Sequence, residues 1–237
     1  MKRRRLVIFV EGKGDVAAVP ALAKRVLGEQ GGHEVLLLEP HPFRVKSLSV
    51  LVKEQCKSWH RWLSAAAKTH PDLGAVLLVL DGDMKHVPTN WETYGKVAKS
   101  RDFCPCHAAR ALALDAQIVR AGTQFSVAVV FAMREFEAWL VAGVESVRGL
   151  HLPEERAIVP STAAAPQIDI ESRRDAKGML TEQIPAYQQT LDQGALARHV
   201  DLGMVRSRCR SFRRFESAIR RLVDAARSGN CIVDPAR

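Results

Sequence analysis

The sequence predicts an α/β fold, a mostly parallel sheet flanked by helices, with a helical extension toward the C-terminal end. The first observation is three apolar runs, at residues 6–10, 76–80 and 125–132. Each is short and continuous, as strands buried on both faces are in a parallel sheet. The second is that apolar residues recur at helical spacing between the runs. Strands therefore alternate with helices, which implies right-handed crossovers. The third is that acids follow each run: Glu11, then Asp81 and Asp83, then Glu135 and Glu137. Such sheets keep their chemistry at the carboxyl ends of the strands.

Residues 6–10 give the first strand, and a helix is expected to begin at Asp15 as its N-cap. Val16, Val19, Leu22, Val26 and Leu27 give that helix an apolar face. Residues 35–38 read as a second strand, with Pro40 and Pro42 punctuating the loop after it. A long helix is expected over 44–68, where Val45, Leu48, Val52, Cys56, Trp59 and Leu63 fall at three-to-four spacing. Pro71 and Gly74 close it before the central strand. Residues 84–103 are polar and irregular and read as an inserted loop or lid. A helix over 107–120, ended by Gly122, leads to the strand at 125–132, and Arg134 to Leu140 opens the next helix.

After Gly149 the texture changes. Proline-bearing residues 151–175 read as a connection, 176–184 and 187–199 as short helices, and 211–227 as a longer one. Phe212, Phe215, Ile219, Leu222 and Ala226 form its apolar stripe, with Arg213, Arg214, Arg220 and Arg221 off it. The organisation expected is a catalytic core over 1–150, with 84–103 inserted, and a linker with a helical extension over 151–237 packed on that core.

The chain has 237 residues, 47% of them hydrophobic, enough to bury a substantial core. Its formal net charge of +9 favours polyanionic partners such as nucleic acid. No apolar run approaches the ~20 residues a membrane span needs. The basic start, Lys2 to Arg5, imitates a signal peptide, but Glu11, Lys13 and Asp15 interrupt the apolar run at once. A cytoplasmic protein without membrane partners is expected. Five cysteines suit reduced thiols better than a disulfide framework. Cys104, Cys106 and His107 form only half of a zinc motif, since Cys209 and Cys231 are isolated.

If the three strands are parallel neighbours, Glu11, the Asp81/Asp83 pair, and Glu135 or Glu137 share one rim. Like charges this close repel unless a cation neutralises them. A hard divalent cation such as Mg2+ suits carboxylate ligands. Residues two apart on a helix point about 200° apart, so only one of the last two acids faces the cluster. Glu137 is the first choice and Glu135 the fallback.

Val10-Glu11-Gly12-Lys13-Gly14-Asp15 with Asp81-Gly82-Asp83 resembles the TOPRIM domain of topoisomerases, primases and overcoming-lysogenisation-defect nucleases, a Rossmann-like fold. Arg134 to Leu140, Asp175-Ala176-Lys177 and Ser211-Phe212-Arg213 narrow the resemblance to the TOPRIM-like family called domain of unknown function 4276, over nearly the full length. The insertion at 84–103 departs from the family pattern. The resemblance implies Mg2+ or Mn2+ at Asp81 and Asp83, with Glu11 as a metal ligand or general acid/base and Glu137 helping to hold a second ion. Lys13 and the amides around Gly12 and Gly14 would hold a phosphate, and Lys177 would meet charge developing on phosphorus. No tyrosine sits in a topoisomerase-like setting, so the implied activity is a hydrolytic nuclease acting on nucleic acid, DNA first. The family's relatives also imply a separate ABC- or AAA-type ATPase and a role in phage defence. Arg213 and Arg214 belong to an arginine-rich segment that either tracks a nucleic-acid backbone or is a solvated helix face. A regulatory or scaffold subunit of an ATPase complex, and nucleotidyl or phosphoryl transfer to a small molecule, are the alternative functions. The oligomeric state is open, a homodimer included.

Overall fold

The computed structural model describes residues 3–82, 105–120, 124–152 and 169–235. The sheet is built from β1 (Arg4–Val10), β4 (Leu73–Asp81) and β5 (Ser126–Ala132), its three long strands. Three short strands extend it: β2 (Leu36–Leu38), β3 (Phe43–Arg44) and β6 (Val233–Asp234). The order is β2-β1-β4-β5-β6, with β3 also on β1, and every pairing is parallel. Val10 stands opposite Val79, and Asp81 opposite Ala132, so the carboxyl ends of the long strands are level.

The continuous apolar runs have the expected cause. Leu6, Ile8, Val10, Leu77, Val79, Val130 and Ala132 enter one core, while Val7, Phe9, Val76, Leu78, Leu80, Val129 and Phe131 enter the other. Successive side chains of a strand point to opposite faces, so both parities must be apolar when both faces are covered. One face is covered by α1 (Asp15–Glu29), α5 (Glu137–Gly143), α6 (Ala176–Gln183), α7 (Gln189–His199), α8 (Leu202–Arg208) and α9 (Arg210–Ser228). The other is covered by α2 (Leu48–Leu51), α3 (Lys53–Thr69) and α4 (Pro105–Arg120). The C-terminal helices thus share one core with α1 and α5. No helix among the described residues is long and apolar enough to cross a membrane.

Several expectations are corrected. The single helix over 44–68 is instead β3, α2 and α3. Phe43 and Arg44 pair with Phe9 and Val10, where the edge of β1 extends past β2 and its backbone groups need partners. Phe43 stacks on Phe9 at 5.1 Å, which ties this short strand to the core. Asp15 is not the N-cap: Gly14 is, and Asp15 is the first helical residue. The helix expected at 107 begins at Pro105, a residue suited to a first turn because it has no N–H to satisfy. The helix after β5 begins only at Glu137, because Arg134 turns the chain with a φ of +62°. Both α8 and β6 are additions to the expected elements. Gly122, Asp83, Cys104 and the expected lid at 84–103 lie outside the described residues.

The aromatic residues pack as the spacing implied. Trp139 lies 5.2–5.4 Å from the rings of Phe136, Phe212 and Phe215, joining α5 to α9. Asp234 is fully buried and ion-paired to Arg214 and Arg221, which holds β6 to α9. On the opposite face Trp59 is buried and donates to the Leu112 carbonyl, joining α3 to α4. Trp59→Ala removes that packing and hydrogen bond together. The expected loss is about 3–5 kcal/mol, read as a fall in the urea midpoint without a change in slope.

Candidate metal centre

The level ends of β1, β4 and β5 bring Glu11, Asp81 and Glu137 to one edge, and the first turn of α1 adds Asp15. Backbone amides orient each segment against the next. The Asp81 N–H donates to Oε2 of Glu11 at 3.3 Å, and the Phe136 N–H donates to Oδ1 of Asp81 at 2.8 Å. The Gly12 N–H donates to Oδ2 of Asp15 at 2.8 Å, folding the β1–α1 loop over its own helix start. Glu137 is only 5% exposed, and Oε1 accepts from the side-chain amides of Gln189 at 2.5 Å and Gln193 at 2.9 Å.

Two glycines make these approaches feasible. A Cβ on Gly82 would lie 2.8 Å from the Ala132 carbonyl oxygen, so β4 can turn against the end of β5 only without a side chain there. A Cβ on Gly14 would lie 2.1 Å from Oε1 of Gln193. The acid-bearing loop after β1 therefore rests directly on α7.

Burial without a counter-charge dominates the electrostatics. It pushes the Glu11 carboxyl up to about 7, with the nearby Asp15 adding to the shift and the Asp81 amide opposing it. It pushes Asp15 up to about 6, opposed by the Gly12 amide and reinforced by Glu137. Asp81 is held well above its ordinary value by burial, and by Asp15, Glu11 and Glu137 around it. Among the described residues no lysine or arginine forms an ion pair with any of these four acids. Burial also raises the Tyr187 phenol, with the charge of Glu137 contributing.

An all-oxygen, negatively charged donor set fits a hard divalent cation. Among the described residues no group of three such side chains is placed to hold a metal ion by itself. Mg2+ takes one or two protein carboxylates and keeps several waters beside substrate oxygens, so one or two of these acids would be its protein ligands. Asp83, the other half of the Asp-Gly-Asp motif, lies outside the described residues.

The family described as domain of unknown function (DUF4276) matches residues 10–220. The chain belongs to DUF4276. Solved structures similar to this DUF4276 chain include the C-terminal region of the Xanthomonas campestris pv. campestris OLD protein. That comparison has 17% identity, a TM-score of 0.44, and coverage of 96% of this chain and 97% of that one. The C-terminal region of the Burkholderia pseudomallei OLD protein is similar at 13% identity and a TM-score of 0.38, covering 97% of this chain and 99% of that one. No curated protein matches the chain.

The motifs of this DUF4276 chain divide between the acid edge and its support. Glu135 is not with Asp81: its Oε2 accepts the Lys177 N–H at 3.2 Å, at the start of α6. Lys177 is exposed there, and Asp175 caps the same helix by accepting from the Gly178 N–H. The loop amides are not the open phosphate cradle expected. The Gly12 N–H is committed to Asp15 and Gly14 is buried against Gln193, which leaves Lys13 as the exposed cation of that loop. Arg213 donates to the Arg206 and Ser207 carbonyls, and Arg214 pairs with Asp234. Both therefore have contacts within the fold, and Arg213 remains exposed to solvent. Ser211 accepts from the Trp139 indole at 2.7 Å and the Met133 N–H at 3.0 Å, bracing the corner between β5 and α5. Cys106 is an exposed free thiol. From sequence Asp15, although within the Val10 to Asp15 motif, reads only as a helix start, and Gln189 and Gln193 on a distant helix carry no motif.

The raised carboxyls set the pH response without metal. A group whose pKa is higher in the folded state than in the unfolded state binds its proton more tightly when folded. Its stability contribution is complete below the unfolded value and is lost as pH rises through the folded value. For Asp15 that window runs from its ordinary 3.8 to about 6. In EDTA at pH 8, Asp15→Asn is expected to raise Tm by about 2–4 °C for each kcal/mol of repulsion removed. Thermal melts at pH 5 and pH 8 check this, and the gain is expected to shrink at pH 5.

Proposed function

We propose that the chain is a Mg2+- or Mn2+-dependent nuclease of the TOPRIM type, hydrolysing phosphodiester bonds in nucleic acid, with DNA the first substrate. One observation carries the reading: Glu11, Asp81 and Glu137, from segments far apart in sequence, meet at one sheet edge with no ion-paired cation among the described residues. The formal net charge of +9, against an acidic centre, suits a polyanion whose approach needs basic surroundings and whose cleavage needs a metal. The motif resemblance supports the same chemistry and also suggests a separate ABC- or AAA-type ATPase partner in phage defence.

In this proposal Asp81 and Asp83 would hold the ion, Glu11 would be a further ligand or a general acid/base, and Glu137 would help to hold a second ion. A bound divalent ion would supply Lewis-acid polarisation of a phosphoryl oxygen and neutralise its charge. Where Glu11 acts as the general acid/base and not as a ligand, its carboxyl, raised by burial to about 7 without metal, is suited to exchange a proton at neutral pH with water or the departing oxygen. The Phe136 amide keeps Asp81 aimed along the edge, and Gln189 and Gln193 fix the rotamer of Glu137. Lys13 and Lys177, both exposed, are the cations offered to substrate phosphates.

Purified chain is incubated with plasmid, duplex and single-stranded DNA in Mg2+ and in Mn2+. Asp81→Ala and Glu11→Ala are each expected to reduce cleavage at least about 10²-fold. Cleavage that survives in both variants, or none by wild type even with an ATPase supplied, sinks the proposal. Gln193→Met keeps the bulk but removes one donor to Glu137. Calorimetric titration with Mn2+ is expected to show about 10–100-fold weaker binding, the usual effect of losing a group that orients a ligand.

A further inference from the structure

The turn between β5 and α5 holds a residue that its backbone does not favour. Arg134 has a φ of +62°, in the left-handed region where side chains other than those of glycine, asparagine and aspartate are strained. The turn itself is required. The Gly82 N–H donates to the Ala132 carbonyl at 2.8 Å, the Glu135 N–H to the Met133 carbonyl at 3.0 Å, and the Arg134 nitrogen lies 3.2 Å from where a Gly82 Cβ would be. The backbone of Arg134 is therefore pressed against the residue that follows Asp81. Glycine or asparagine would make this turn with less strain. Arginine there needs another reason.

Its side chain supplies one. Arg134 is partly buried, and its Nε–H is closed off from solvent without an acceptor. Among the described residues it forms no ion pair, although Glu135 is its neighbour in sequence and Glu11, Asp15, Asp81 and Glu137 occupy the adjoining sheet edge. A guanidinium is a planar fork of donors that a carboxylate or phosphate normally fills from two sides. Other arginines of the chain follow that habit: Arg206 engages Glu216 and Glu29, and Arg214 and Arg221 engage Asp234. Strain that persists beside an active edge is expected where function requires the residue.

We propose that Arg134 is a substrate-binding residue, whose guanidinium takes the non-bridging oxygens of a phosphate brought to the Asp81 edge. This rests on the nuclease reading and deepens it, naming the group that grips the substrate backbone there. The ligand chemistry is a phosphate ester. It comes either from a polynucleotide backbone, the substrate of that reading, or from a free nucleotide.

The test uses the full chain with Arg134→Asn, which tolerates the left-handed turn but loses the fork, and Arg134→Lys, which keeps a point charge. Three quantities are measured: Tm, Mn2+ affinity by calorimetry, and affinity for a fluorescent 20-base-pair duplex with Ca2+ in place of Mg2+. A parallel titration with ATP separates a nucleotide from a polynucleotide. For Arg134→Asn, Tm is expected to hold or rise and Mn2+ affinity to stay within twofold. Duplex affinity is expected to fall tenfold or more, with Arg134→Lys between the two. A loss confined to ATP keeps the phosphate site and reassigns it to nucleotides. Unchanged affinity for both probes in Arg134→Asn overturns the proposal, as does a fall in Tm with parallel loss of Mn2+ binding, which marks a merely structural role. If wild type binds duplex through Arg134 but does not cut it in Mg2+ or Mn2+, the nuclease reading fails and the phosphate site stands.

Discussion

Like charge crowded at the carboxyl edge of the sheet is the constraint on which the rest of the structure turns. Parallel pairing of β1, β4 and β5 leaves Glu11 one step beyond β1 and Asp81 at the last position of β4, and the short turn after β5 returns Glu137 to the same edge. Asp15 and Glu137 are buried and Glu11 and Asp81 half-buried, and among the described residues no cationic side chain is ion-paired to these acids. Backbone amides and glutamine side chains hold the carboxylates instead. Such donors orient an acid without cancelling its charge, so the edge stays electrostatically unfinished.

That arrangement explains why the C-terminal half lies where it does. Helix α7 packs along α1 and delivers Gln189 and Gln193 to Glu137, while Gly14 lets the β1–α1 loop rest against Gln193. Glu171 receives the Arg210 and Ser211 amides at the start of α9, and Ser211 in turn holds the Trp139 indole. These helices therefore brace the acid edge as well as covering a sheet face. The motifs divide accordingly: Glu137 and Asp81 bring carboxyl groups to the edge, while Trp139, Ser211, Phe212 and Asp175 keep the corner in shape.

Much of this was legible in the residues. The three long strands announced themselves because a strand buried on both faces must be apolar at every position, a pattern that survives without knowledge of its neighbours. Preferring Glu137 over Glu135 had a different basis from the one the sequence suggested. Helical spacing separates the two acids only if both lie in the helix, whereas the left-handed turn at Arg134 keeps Glu135 out of it, and the Lys177 N–H of α6 binds Glu135. The break within 44–68 was illegible because Val45, Leu48, Val52 and Cys56 keep a helical spacing across it. The decisive contact, Phe43 on Phe9, is made across the sheet edge. β6 is two residues long, too short to carry any periodicity.

Sequence alone determined the α/β class, the order of the long strands along the chain and the acids at their ends, because burial on both faces and turn chemistry are local demands. Only tertiary structure decided which acids meet, that Asp15 joins them and that glutamines from α7 hold Glu137. It also decided that Arg134 stands strained beside them, without an ion pair among the described residues. Those facts depend on how segments distant in sequence pack, and a charge carries no mark in the sequence of the neighbour that will answer it.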